Sequence, residues 1–182
     1  MNQETRNYET ERKILDSVER RQFDSGAVRD IAEGKGRCDL LPLDIVAEYN
    51  LLIEGDDNTD NVIYNDIINH INIAIREGEL KYIYYAIHSF AGLNKWGPDD
   101  LFIEVSKHYE EGAKKYEERN WEKGIPAHCY VDSGIRHLLK WANHWDDEPH
   151  ARAFVWNMLG LLWTIKHKPE LNDLPYNTSK GE

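Results

Sequence analysis

The sequence predicts an all-α fold, a helical bundle, and three observations lead to this prediction. Isoleucines recur at every fourth position from Ile63 to Ile75, which is the spacing of one face of an amphipathic helix. Pro98 and the two aspartates after it form a helix start, because proline tolerates the first turn and carboxylates complement the N-terminal dipole. The β-branched residues fall at helical spacing, so no strand is predicted.

The N-terminal part is predicted to hold little helix. Residues 1–22 are rich in Glu and Arg and poor in large apolar side chains, so we expect a frayed helix or an extended arm. The remainder, 23–182, has the length of a single domain. Residues 23–42 contain three glycines and a proline and are expected to form an ordered loop laid on that domain. A helix is predicted over residues 43–53.

Residues 49–99 are predicted to include an inserted helical hairpin. A polar turn over residues 55–60 precedes the helix with the isoleucine spacing. Gly78 separates that helix from a second one over 79–92, whose apolar residues also share one stripe.

Three more helices are predicted over 98–116, 126–143 and 146–166. Residues 117–125 are expected to form a loop, and the tail from Pro169 is expected to be a loop as well. The last of the three helices is apolar nearly all round, so it should be the central, buried one.

The formal net charge is −11, from 22 Lys and Arg against 33 Asp and Glu. This balance argues against a protein that binds duplex nucleic acid or an anionic membrane, since both need a basic face. It is compatible with a small phosphorylated ligand whose charge a cation neutralises. Two widely separated cysteines, no apolar N-terminal segment and no apolar run of membrane-spanning length predict a reduced, cytoplasmic setting.

Acidic residues occur in each of the last three predicted helices. Glu111 lies on the first and Asp132 on the second, while Asp147, Glu148 and His150 cluster at the start of the third. Antiparallel packing would bring these groups to one end of the bundle, and carboxylate oxygens suit Mg²⁺ or Mn²⁺. Ordinary helix caps and a solvated acidic face are the alternative interpretation.

Cationic residues are candidate ligands for phosphate groups. The alternative is that they form weak surface salt bridges with the many acids. One of them, Arg136, lies four residues after Asp132, so an intrahelical ion pair is expected. The candidates are Lys35, Arg37, Lys114, Lys115, Arg119 and Arg136.

Two polar side chains, His150 and Asn157, share one face of the last helix because they are seven residues apart. They either line a pocket or are satisfied by neighbouring helices. A nucleophilic thiol is not predicted, because Cys129 and His128 are neighbours on a helix and are expected to point apart. Cys38 lacks an activating neighbour.

Three segments of the sequence resemble a group of proteins found often in phages. This group is identified as dATP/dGTP diphosphohydrolase-like (MazZ-like), within the MazG-like all-α nucleoside triphosphate pyrophosphatases. The resemblance covers about 23–48 and 100–176, and residues 49–99 have no counterpart in it. The segments are FDSGAVRDIAEGKGRCDLLP (23–42), EEGAKKYEERNWEKGIP (110–126) and DSGIRHLLKWANHWDDEPHARAFVWNMLGLL (132–162).

The resemblance implies a bundle that hydrolyses a nucleotide between its α and β phosphates and holds Mg²⁺ or Mn²⁺ with acids of two adjacent helices. Dimers or tetramers are common in that superfamily. On this basis we predict that Glu111, Asp132, Asp147, Glu148 and His150 bind the metal, and that Glu111, Asp132 and Glu148 are catalytic. The cations named above are predicted to hold phosphates. Tyr116, Asn120, Trp121 and Asn157 are predicted to contact the base.

The sequence therefore predicts a metal-dependent pyrophosphohydrolase that prefers a purine deoxynucleoside triphosphate, dATP or dGTP. The alternative is a non-catalytic protein that binds and sequesters a nucleotide signal, and a third hypothesis is a helical interaction module. We expect a homo-oligomer in the cytoplasm of a bacterium or a phage-infected host. Neither duplex nucleic acid nor membrane is an expected partner.

Overall fold

The computed structural model of the protein describes residues 19–30 and 59–178. Its described part is mostly helical, which confirms the predicted all-α class. The predicted helix over 43–53, most of the predicted N-terminal arm, and the two candidate phosphate ligands Lys35 and Arg37 lie outside the described residues.

A small β-hairpin corrects the prediction that the chain contains no strand. Strand β1 (Arg20–Gln22) pairs antiparallel with β2 (Val28–Asp30). Phe23 and Ala27 close the turn through a backbone hydrogen bond of 2.9 Å, and Gly26 adopts a positive φ of 83°, which glycine tolerates without strain. Strands of three residues are too short to show an alternating pattern, so they could not be predicted from the sequence.

The helices follow the predicted order closely. Two short 3₁₀ helices, Asn120–Lys123 and Pro169–Leu171, and the helical turn Pro175–Thr178 occupy stretches that were predicted to be loops. The α-helices are α1 (Thr59–Glu77), α2 (Lys81–Leu93), α3 (Pro98–Lys115), α4 (Ala127–Ala142), α5 (His150–His167) and the single turn α6 (Pro175–Thr178).

Helix α5 is the central element of the core, as predicted. It packs most extensively against α4 and also contacts α3 and α2. Residues on all sides of α5 are buried, among them Phe154, whose ring centroid lies 4.6 Å from that of Phe90 on α2. The helix begins at His150 and not at 146, because Pro149 disfavours helical geometry in the residue before it.

The predicted hairpin of α1 and α2 is present, and the two helices pack along each other. Ile67 and Ile71 are completely buried, which confirms the face that the isoleucine spacing indicated. Within the ranges that the structure describes, no helix combines the length and the apolar character needed to cross a membrane.

Candidate active-site cavity

A cavity of about 1190 Å³ lies where α3, α4 and the start of α5 meet β2 and the Asn120–Lys123 turn. Sites for small molecules usually measure roughly 300–1,000 Å³, so this one has room for a nucleotide. Its wall combines aromatic rings with polar groups of both charges. The polar groups include Arg29, His108, Asp132, Arg136, His137, Asp147, Glu148 and Asn157.

Three side chains at this cavity form a group that could hold a divalent metal ion. The ligand atoms of His137, Glu148 and His150 lie within 4.8 Å of one another. The two Nδ1 atoms of the histidines are 3.0 Å apart, and Nδ1 of His137 lies 3.9 Å from Oε2 of Glu148. Helix α4, the loop before α5 and the first residue of α5 each supply one member, so only the packing of α4 against α5 assembles the group.

Burial lowers the pKa of both histidines in this group. For His137, loss of solvation is the largest cause, and the neighbouring His150 adds to it. For His150, loss of solvation again dominates, while the carboxylate of Asp147 opposes it. Both rings are therefore neutral near pH 7, and neutral imidazole is the form that coordinates a metal.

Two of the predicted metal ligands are ion-paired with arginines. An oxygen of Glu111 on α3 lies 3.5 Å from the guanidinium of Arg152 on α5. Asp132 forms an ion pair with Arg136 one turn further along α4, as the spacing of these residues predicted. The structure does not place Glu111 in the group formed by the histidines.

The other three predicted ligands lie close together. Glu148 and His150 belong to the group with His137, which had not been selected as a ligand. Asp147 lies next to the group, with Oδ1 2.8 Å from Nε2 of His150 and Oδ2 2.7 Å from Nζ of Lys140. Which of these side chains bind a metal remains a prediction.

The described candidate phosphate ligands differ in their surroundings. Arg136 and Arg119 line the cavity, although the side chain of Arg119 is 76% exposed. Lys114 is exposed and pairs with an acid on its own helix. Lys115 is buried, and its ammonium group lies 2.8 Å from the carboxylate of Asp30.

Arg29 on β2 is a cavity residue that the sequence analysis had not selected. Its guanidinium donates hydrogen bonds to the carbonyl oxygen of Cys129 at 3.1 Å and to Oδ1 of Asn157 at 3.0 Å. It also lies over the rings of Tyr130 and Trp156. Among the described residues, no carboxylate contacts it. Burial lowers the pKa of Arg29, but a guanidinium stays charged at neutral pH, so a positive charge without an acid partner faces the cavity.

His108 is a second cavity residue that the sequence analysis missed. Its ring packs 5.6 Å from that of Trp156, and its Nδ1 is buried without a hydrogen-bond partner. Burial, followed by the positive charges of Arg152, Arg29 and Lys115, lowers the pKa of His108 to about 3. The imidazole is therefore neutral and offers an unused polar atom at the cavity wall.

All four predicted base contacts line the cavity, and each of them has a partner within the protein. The side-chain amide of Asn120 exchanges hydrogen bonds of 3.1 and 3.0 Å with both backbone groups of Val28, so it fixes strand β2. The ring of Trp121 packs edge-on against Trp163 at 5.0 Å. Contact with a base remains a prediction for Tyr116, Asn120, Trp121 and Asn157.

The prediction that Cys129 and His128 point apart is wrong. Sγ of Cys129 lies 3.2 Å from Nε2 of His128, and Nδ1 of His128 contacts the carboxylate of Asp173. Both residues lie in the first turn of α4. Asp173 also accepts a hydrogen bond of 2.9 Å from the backbone N–H of His128, and so holds the imidazole ring against the thiol. The hydrogen bond to Asp173, followed by the smaller effect of the contact with Cys129, raises the pKa of His128 to about 10. The thiol therefore has an imidazolium neighbour.

Comparison with known proteins gives one finding. Residues 93–174 match a family model described as dATP/dGTP diphosphohydrolase, N-terminal. No curated protein and no solved structure matches the chain. The matched segment contains His137, Glu148 and His150, which we call the metal-capable group. It also contains the Asp132–Arg136 pair and Asn157, whereas Arg29 lies before it. Residues 93–174, which build most of the cavity wall, are therefore similar to the N-terminal region of dATP/dGTP diphosphohydrolases.

Proposed function

We propose that the protein hydrolyses a nucleoside triphosphate, preferably dATP or dGTP, to the monophosphate and pyrophosphate. The observation that supports this most directly is one cavity with two complementary features. The group formed by His137, Glu148 and His150 could hold a divalent metal, and Arg29 presents a positive charge without a carboxylate partner among the described residues. A polyphosphate with a bound metal ion would contact both the group of three side chains and the guanidinium of Arg29.

The spacing of these two features favours an extended anionic ligand. His150 and Asn157 are seven residues apart on α5, which at ~1.5 Å per residue separates them by about 10 Å along the helix. Arg29 is hydrogen-bonded to Asn157, so its guanidinium is near the far end of that interval. Several phosphate groups in a row can therefore contact the metal-capable group and the guanidinium together.

The chemistry follows from these residues. His137, Glu148 and His150 would hold a divalent ion, Mg²⁺ or Mn²⁺ in our proposal, which would supply charge neutralisation at the phosphate oxygens and activation of the attacking water. Arg29 and Arg136 hold phosphate oxygens and stabilise the charge that develops on the departing pyrophosphate. Asp132 orients Arg136 through their ion pair. Of the acids proposed as catalytic, Glu111, Asp132 and Glu148, the last lies in the metal-capable group.

Product analysis tests the proposal. The full-length protein is incubated with each NTP and dNTP in the presence of Mg²⁺ or Mn²⁺, and the products are separated by anion exchange. We expect monophosphate and pyrophosphate, with dATP or dGTP as the best substrate. Glu148→Gln should lower kcat about 100-fold or more, while Glu170→Gln, at an exposed position away from the cavity, should leave kcat unchanged. Failure to release pyrophosphate from every nucleotide would overturn the proposal.

A second function, nucleotide binding without hydrolysis, is favoured by one specific observation. Glu111 and Asp132 are each ion-paired with an arginine, so these two acids are engaged before any ligand binds. A binding protein of this kind would retain dATP or dGTP with EDTA present and return it intact after denaturation. Calorimetry with and without EDTA, followed by chromatography of the recovered ligand, separates the two functions.

A further inference from the structure

The metal-capable group differs in chemistry from the all-oxygen site that Mg²⁺ prefers. Two of its three members are imidazoles, and their Nδ1 atoms face each other at 3.0 Å across the junction of α4 and α5. Two ligands at right angles on one ion, each ~2.1 Å from it, are about 3.0 Å apart. The two rings are thus already at the separation that adjacent ligands of a six-coordinate first-row transition ion adopt.

Asp147 fixes the orientation of one of these rings. Its Oδ1 lies 2.8 Å from Nε2 of His150, and an ionised carboxylate only accepts hydrogen bonds, so Nε2 carries the proton. In the neutral ring, the lone pair is then on Nδ1, which points toward His137. Lys140 holds the other carboxylate oxygen of Asp147 at 2.7 Å. A histidine that donates to a carboxylate while its second nitrogen faces a ligand position is the usual arrangement around protein-bound metals.

The ligand set also determines which ions fit. Imidazole nitrogen suits zinc, iron, cobalt and nickel, whereas Mg²⁺ is bound through oxygen and retains several waters. The carboxylate of Glu148 adds one oxygen, a ligand that suits Mn²⁺. The acids Glu111 and Asp132, whose oxygens would favour Mg²⁺, are paired with arginines.

We propose that His137, Glu148 and His150 form a resident site for a first-row transition ion, such as Mn²⁺, Fe²⁺, Co²⁺ or Zn²⁺, that discriminates against Mg²⁺. Asp147 is a positioning residue for His150. The site is a property of the protein without nucleotide, so it does not depend on the proposed hydrolysis. Mn²⁺ is compatible with both proposals, because it would bind the imidazoles of this site and also forms complexes with nucleotides.

The test is direct metal binding by the full-length protein after removal of metals with a chelator. Co²⁺ is titrated by its absorption spectrum, and Mn²⁺, Zn²⁺ and Mg²⁺ are titrated by calorimetry, all without nucleotide. We expect one ion per chain and an affinity for Co²⁺ and Zn²⁺ at least tenfold higher than for Mg²⁺. Nitrogen ligation should be visible in the Co²⁺ spectrum. Mg²⁺ binding as tight as Co²⁺ binding, or no binding of any ion, would overturn the proposal.

Variants locate the ion within the structure. His137→Asn and Glu148→Gln should each weaken Co²⁺ binding at least tenfold, and Asp147→Asn should weaken it about 10-fold to 100-fold by releasing the ring of His150. His144→Asn is the matched control, since His144 is exposed in the turn after α4 and its positive φ of 56° suits asparagine.

Circular dichroism shows whether each variant is folded, and the two ligand variants provide independent tests. Unchanged Co²⁺ affinity in both folded variants would contradict the proposal. Because these titrations contain no nucleotide, a negative result would not contradict hydrolysis of a Mg²⁺–nucleotide complex. Conversely, a protein that binds Co²⁺ but cleaves no nucleotide would contradict the proposed function alone.

Discussion

Arg29 shows how a single guanidinium reaches a cavity from a strand of three residues. The side-chain amide of Asn120 pairs with both backbone groups of the preceding residue, Val28, and so holds β2 in place. Arg29 then extends to Cys129 on α4 and Asn157 on α5, and its stem lies beside aromatic rings. Burying a charge in this way is costly unless a partner compensates it, so we expect an anionic ligand to bind there.

The first prediction concerns Arg29. Arg29→Gln should raise KM for the triphosphate about 10-fold to 100-fold, because a charge-assisted hydrogen bond contributes roughly 1.5–3 kcal/mol. The same change at Arg76, an exposed residue in the last turn of α1, is the control. Steady-state kinetics or nucleotide titration measures the effect. Equal KM values in the two variants, with both proteins folded, would contradict phosphate binding by Arg29.

The second prediction concerns pH and the pair of His128 and Asp173. The folded pKa of His128 is about 10, above its ordinary value of 6.5. A raised pKa means that the stabilisation is fully present below pH 6.5 and is lost as the pH rises toward 10. Asp173 behaves in the opposite sense, because its lowered pKa makes its contribution disappear only in acid.

Urea denaturation at several pH values measures this effect. His128 is about one-third exposed, so solvent screening should reduce the loss of unfolding free energy between pH 6.5 and 10 to about 1–2 kcal/mol. His128→Asn keeps a polar side chain but cannot titrate, so its stability should be nearly independent of pH over that range. The same pH profile in both proteins would argue against the ion pair.

At the scale of elements, the position of α5 depends on close contact with α4. A Cβ atom added at Gly160 of α5 would lie 2.3 Å from Cε1 of Tyr130, a fully buried ring of α4. The missing side chain therefore lets the two helices approach. Because this contact lies on the helix pair that supplies His137 and His150, we expect the metal-capable group to depend on it.

The third prediction tests that contact. Gly160→Ala should lower the free energy of unfolding by about 1–3 kcal/mol, since the ring of Tyr130 has to move in a close-packed core. Gly92→Ala is the matched control, because nothing lies within 4 Å of an added Cβ at this helical position. That change should be neutral or stabilise by up to about 1 kcal/mol through higher helix propensity. Thermal denaturation compares the two, and similar effects would contradict close packing at Gly160.

The presence and order of the long helices could be predicted from the sequence. The two helices with the clearest start signals or periodicity, α1 and α3, were predicted to within a few residues because their pattern is local. The β-hairpin was missed because its strands pair only three residues each. The start of α5 was placed too early because acids at 146–148 imitate a first helical turn, whereas Pro149 delays the helix to His150.

At the scale of the whole molecule, the net charge of −11 contrasts with the cations in the cavity wall. Arg29 and Arg136 both line the cavity, so two guanidinium groups are available there although acids outnumber bases along its wall. Such an arrangement admits one small anion and repels an extended polyanion. The predicted dimer or tetramer remains a prediction at this scale.

The fourth prediction follows from that contrast. The protein should show no binding to a duplex DNA at about 0.15 M salt in a fluorescence polarisation assay, because few phosphates can be neutralised at once. Under the same conditions a triphosphate should bind. Duplex binding that weakens steeply with added salt would show instead that the protein has a basic face for polyanions.

The sequence by itself determined the helical class, the order of five helices and the central place of the last long one, since these depend on local periodicity and capping. It also selected Glu148, His150, Asp132 and Arg136, which lie in the segment of the family match. Only the tertiary structure decided which of these groups meet. It added His137 to the metal-capable group, brought Arg29 into the cavity from β2, and placed Cys129 against His128 through Asp173. These contacts join residues that are far apart in the chain or depend on side-chain orientation, and neither property is encoded in local spacing.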